Sequence, residues 1–96
     1  MIVERFTIPI KPGNIEEALN LLKDGRKNIW PFFSCRIYSP WFSEQDTLIA
    51  DNDFEDMAEH DKLWEQVGAK EEWSVYLGKL NELIDGPYTH TLWTLE

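Results

Sequence analysis

Basic residues are scarce in this chain. Nine Lys and Arg stand against 18 Asp and Glu, a formal charge of −9 at pH 7. A field of that sign repels a phosphate backbone, and no basic stripe interrupts it. Nucleic acid and anionic membrane surfaces are therefore not expected as partners. Cysteine is nearly missing, and Cys35 alone cannot form an internal disulfide. No apolar run approaches the roughly 20 residues that span a bilayer, so no membrane segment is expected. A basic region followed by an apolar core is also missing at the N-terminus, which points to a cytoplasmic protein. The phosphate-binding patterns GxGxxG and GxxxxGK[ST] do not occur, and neither does the zinc pattern HExxH. Repeats, linkers and low-complexity tracts are lacking too. With 96 residues, the chain has length for one domain, residues 1–96.

Aromatic residues are abundant, with 5 Trp, 5 Phe and 3 Tyr. They exclude disorder and supply more bulk than one small core needs. Residues Ile2 to Ile10 alternate, with Ile2, Glu4, Phe6, Ile8 and Ile10 on one side and Val3, Arg5, Thr7 and Pro9 on the other. Such alternation predicts a strand. Pro12-Gly13 then makes a turn, and Asn14 is placed to cap a helix with Glu17 three residues on. Ile15, Ala18, Leu19 and Leu22 carry that helix to about Asn28, where Gly25 weakens its last turns and Pro31 stops it. Phe33 to Phe42 predicts a second strand, and Thr47 to Asp51 a short third, joined as a hairpin. Asp53 can cap the next helix, which carries Phe54, Met57, Ala58 and Trp64. After Gly68, the stripe Trp73, Tyr76, Leu77, Leu80, Leu83 and Ile84 is the strongest in the chain. Its Trp73 is expected between helix and sheet. Asp85-Gly86-Pro87 ends that helix, and Tyr88 to Leu95 predicts a last strand.

The order β-α-β-β-α-(α)-β is the α+β, ferredoxin-like split βαβ arrangement, an antiparallel sheet with helices on one face. The other face has no helices to cover it. Aromatic and aliphatic side chains are expected there, and two such sheets face to face would bury them. The pattern predicts a homodimer.

The opening stretch IVERFTIPIKPGN resembles the first strand and Pro-Gly turn of NIPSNAP-like proteins. The stretch from Asp53 to Ile84, with Trp73 and its long amphipathic helix, is similar too. Glu4, Pro12-Gly13 and Trp73 are the matching points. The resemblance implies the dimeric α+β barrel superfamily, which includes antibiotic-biosynthesis-type monooxygenases and muconolactone isomerase-like proteins. It implies either a cofactor-independent oxygenase or isomerase, or a non-enzymatic binding or dimerisation module. Relatives often carry a glycine in the second strand. This chain reads SCRIYSPW there, so Arg36 and Tyr38 would reshape any pocket.

The residues that could carry chemistry are few. His90, in THTLW, reads either as an acid–base or ligand group in a cavity or as a hydrogen-bonded sheet residue. Arg36 and Tyr38 share one face of the second strand. They read either as a clamp for a carboxylate or phenolate or as partners of a surface acid. Arg5 has the same two readings. His60 lies among charges and reads as solvated helix surface. With His60 and His90 on different elements, no zinc site is expected and no cofactor is assigned. The acidic run from Asp51 to Asp56 lacks the glycine and closing glutamate of a calcium loop. Cys35 reads as a buried strand thiol. Trp41, Trp64, Trp73 and Trp93 serve a pocket, a core or an interface. If the helices take the side of Cys35, Ile37 and Trp41, the polar side turns away from them. Arg36, Tyr38 and His90 are then expected to line one pocket, with Arg5 at its edge. The expected ligand is a small apolar or aromatic molecule with an acidic or phenolic group.

Overall fold

A computed structural model describes residues 1–96. The strands are β1 (Ile2–Pro9), β2 (Ser34–Tyr38), β3 (Thr47–Phe54) and β4 (Thr89–Thr94). The helices are α1 (Ile15–Asn28), α2 (Met57–Gly68) and α3 (Glu71–Asn81). The sheet order is β2-β3-β1-β4, and every neighbouring pair is antiparallel. This is the α+β ferredoxin-like fold that the element order predicts.

Register decides which side chains meet. Glu4 lies opposite Asn52 and Leu92, and Phe6 lies opposite Ala50 and His90. Cys35 pairs with Asn52 on the other side of β3. These residues point toward the helices, where Ile8, Leu48, Ala50 and Phe54 enter the core. Ala18, Leu22 and Gly25 are the buried face of α1, and Tyr76 and Leu80 that of α3. Trp73 is only partly buried. Its ring meets the edges of Trp30 and Trp64 and stacks on Tyr76.

Several local expectations change. Asn14 makes no side-chain cap, although its carbonyl accepts the Ala18 N–H. The cap of α2 is Asp56, whose carboxylate accepts the Glu59 N–H at 2.9 Å. Asp53 instead belongs to β3, which runs three residues beyond its expected end at Asp51. The reason is pairing: Asn52, Asp53 and Phe54 are held by Glu4, Val3 and Ile2 of β1. The second strand is shorter than expected, because the chain leaves the sheet after Tyr38. Trp41 and Phe42 then stand in solvent, 104% and 90% exposed.

The open face of the sheet is more polar than expected. At its centre Arg5 donates to Asp51 through Nε and Nη2, both at 2.8 Å. Arg36 pairs with Asp53 and donates to the Tyr38 hydroxyl at 3.0 Å. Asp51 is 1% exposed beneath the two arginines. Val3, Ile49, Tyr38 and Trp93 lie around this network on the same face.

Candidate functional site

The sequence expectation of one pocket holding Arg36, Tyr38 and His90 fails on strand parity. Arg36 lies opposite Asp51, which lies opposite Arg5, which lies opposite Thr91. His90 pairs with Phe6, one residue out of step, so it emerges on the other face. Arg5, Arg36 and Tyr38 share the open face and bond to Asp51, Asp53 and each other. His90 faces the helices. Burial of its neighbours Phe6 and Glu4 draws that face inward, while the charged partners keep the arginines outside.

The helix side holds a cavity of about 330 Å³ lined by 19 residues, of which 14 are hydrophobic. Its floor is the sheet, with Phe6, Ala50 and Cys35. Trp64 of α2 and Trp73, Tyr76 and Leu77 of α3 form walls, and Trp30 closes the space behind them. Of Arg5, Arg36, Tyr38 and His90, expected to share one pocket, only His90 is in this lining.

At the sheet end the polar groups converge on Glu4, which is 1% exposed. Its Oε2 accepts from His60 Nε2 and His90 Nε2, each at 2.8 Å. Its Oε1 accepts from Trp64 Nε1 at 2.8 Å and from Asn52 Nδ2 at 3.2 Å. His60 and Trp64 are four residues apart on α2, so one helix face delivers both donors. The His90 ring also stacks on Phe6, with centroids 4.5 Å apart. His60 is therefore not solvated helix surface: its side chain is only 14% exposed and it binds a buried acid. Separation in the sequence did not keep the two histidines apart, because β4 pairs with β1 while α2 lies over β3, from which the His60 side chain reaches Glu4.

The hydrogen bonds assign protons. A carboxylate only accepts, so both histidines carry a proton on Nε2. The second nitrogen of His60, Nδ1, meets Asp61 Oδ1 at 2.9 Å and must also carry a proton. His60 is thus an imidazolium between two acids. Burial lowers its pKa, but hydrogen bonds to Asp61 and Glu4 outweigh it and raise the value above 6.5. Burial alone would raise the Glu4 pKa. The bonds from His90, His60, Asn52 and Trp64 prevail and hold it below 4.5. His90 makes no bond at Nδ1, so in its neutral form that nitrogen is a free acceptor beside the cavity.

No protein-family model matches the sequence, and no curated protein does. Solved structures do. A NIPSNAP domain protein from Burkholderia xenovorans superposes with a TM-score of 0.87 at 16% identity, over 100% of this chain and 95% of that one. The fold is that of NIPSNAP domains. A NIPSNAP family protein from Agrobacterium tumefaciens gives 0.81 at 14% identity, over 97% and 90% of the two chains. A putative antibiotic biosynthesis monooxygenase from Nitrosomonas europaea gives 0.75 at 7% identity, over 98% and 97%. The resemblance seen in the sequence thus holds at the level of the fold. At these identities the likeness carries no reaction.

Glu4, His60, Asn52 and Trp64 were missed as a site. A signal existed in Glu4, a lone charge on the apolar side of the first strand. Such a charge must find partners when buried. Its partners could not be named without the register.

The charge arrangement predicts a pH profile. His60 has a raised folded pKa, so its contribution to stability is complete below about 6.5 and is lost as pH rises through the folded value. Glu4 has a lowered one, so its contribution is present above about 4.5 and is lost as pH falls through the folded value. His60→Gln should therefore lower Tm most between those pH values and progressively less toward pH 9. A Tm difference that grows with rising pH would contradict the assignment.

Proposed function

We propose that this chain binds a small, largely apolar or aromatic molecule in the cavity between sheet and helices, and that it works as a homodimer. The cavity carries the reading: apolar walls with a few convergent polar groups at one end are the usual form of a small-molecule site. The chemistry available at that end is proton transfer. His90 is held by Glu4 at Nε2 and by Phe6 at its ring face, leaving Nδ1 to take a proton from a bound molecule. Abstraction of a proton from a ligand is a step shared by cofactor-independent isomerases and oxygenases. It needs no group beyond this chain's residues to begin.

The test uses 1-benzofuran as an apolar probe, followed by the indole N–H signals of Trp64 and Trp73 in nuclear magnetic resonance. Saturable shifts of both signals are expected. Leu77→Trp, which fills the cavity from its partly exposed rim, should weaken the probe at least about tenfold. No shift with millimolar 1-benzofuran, nor with its N–H analogue indole, would overturn the reading.

The dimer rests on the open face of the sheet. Val3, Ile49, Tyr38 and Trp93 surround ion pairs there that no helix covers, and a second copy would bury both. Sedimentation at micromolar concentration should give about twice the 11.3 kDa chain mass. A monomer at ten times that concentration would remove the dimer from the proposal.

A further inference from the structure

The cluster gives Glu4 four donors, one each from His60, His90, Trp64 and Asn52, while two of its acceptors have no partner. The carboxylate takes two donors on each oxygen, which fills its lone pairs. The Trp64 N–H and the Nε2 protons of both histidines are spent there. Asn52 is 4% exposed and gives its amide N–H to Glu4, but its Oδ1 is buried with no donor. The amide cannot be turned over to relieve this, because Oδ1 would then face the carboxylate. A buried acceptor without a partner is costly, and native proteins rarely leave one. His90 Nδ1 is the second free acceptor.

The charge of the lining points the same way. None of the 19 residues is Lys or Arg. The one cation, His60, is already flanked by Glu4 and Asp61. Arg5 and Arg36, the groups suited to hold an acid, lie on the opposite face of the sheet. An anion entering the cavity would meet Glu4 with no counter-charge to offset its lost hydration.

We infer that the ligand of this cavity is uncharged and presents an N–H or O–H donor to Asn52 Oδ1, with His90 Nδ1 available for a second donor. This rests on the cavity-binding reading and narrows its ligand class. It also replaces the acidic ligand expected from the sequence.

Indole and 1-benzofuran are near-isosteric and differ in one N–H, and indole-2-carboxylate adds a negative charge. Calorimetry on the intact protein should show indole binding about tenfold more tightly than 1-benzofuran, with no binding of the carboxylate. In Asn52→Leu, indole and 1-benzofuran should bind equally. In the wild type, indole but not 1-benzofuran should move the Asn52 side-chain carbonyl carbon signal. That measurement stands if Asn52→Leu does not fold. Equal affinity of indole and 1-benzofuran, tighter binding of the carboxylate, or an unmoved Asn52 signal would overturn the inference while leaving cavity binding intact. Binding of none of the three probes would overturn both.

Discussion

Glu4→Leu should destabilise the protein by on the order of 3 kcal/mol, although it places an aliphatic side chain on an apolar strand face. The substitution removes the only acceptor for four donors: His60, His90, Trp64 and Asn52. His90 is about half exposed and can turn to water, which limits the loss. Trp64 and Asn52 cannot turn without disturbing the wall and floor of the cavity. Glu4→Gln should cost less, because a histidine can move its proton from Nε2 to Nδ1 and accept from the new amide. That move consumes the free His90 Nδ1. Long-range nitrogen–proton spectra of the His90 imidazole should therefore show the Nε2–H form in the wild type and the Nδ1–H form in Glu4→Gln. Denaturant titration checks the stability ranking. A Glu4→Leu variant as stable as the wild type would mean that the cluster contributes nothing to the fold.

Gly25→Ala should destabilise by about 2–3 kcal/mol, with a sign opposite to the ordinary rule. In an exposed helix interior, alanine in place of glycine gains about 1 kcal/mol. Here a Cβ at position 25 would sit 2.6 Å from Trp30 Cζ3 and 2.9 Å from Tyr76 Cε2, with Trp30 Cη2 nearer still. Neither ring is a loose end. Trp30 and Tyr76 are both buried and meet edge to face, with centroids 5.1 Å apart. The Tyr76 hydroxyl also donates to the Leu21 carbonyl at 3.1 Å. Trp30→Phe in the same chain should recover part of the loss, since the two positions share a contact. Thermal melts of both variants decide it, and a rise in Tm for Gly25→Ala would refute the packing account.

The same two residues show how far the sequence could be read. Gly25 in a helical stripe is legible as a weak point of α1. That Trp30 folds back over it is not, because the contact depends on how the chain turns after Asn28. Glu4 is legible as a charge on the apolar side of β1. Its four partners come from β3, α2 and β4, 48 to 86 residues away along the chain. His90 was correctly grouped with Tyr88 and Leu92 on one side of the last strand. Its assignment to the Arg36 face failed because a strand's period of two separates its sides without naming which one the helices take. Arg36 pairs with Asp53 across the strands and donates to the Tyr38 hydroxyl, which is the surface-acid reading rather than the ligand clamp.

Local chemistry therefore settled the element order, the α+β class and the alternation of each strand. Those depend on turn residues and on hydrophobic period, both carried by neighbours in the chain. The tertiary structure decided which face of the sheet became the inside, and with it the site. Pairing of β1 with both β3 and β4 lines up Glu4 with Asn52 and Phe6 with His90, and packing of α2 brings His60 and Trp64 onto the same carboxylate. A buried charge recruits whatever donors the fold brings within about 3 Å, and that proximity is a property of register and packing rather than of any short stretch of sequence.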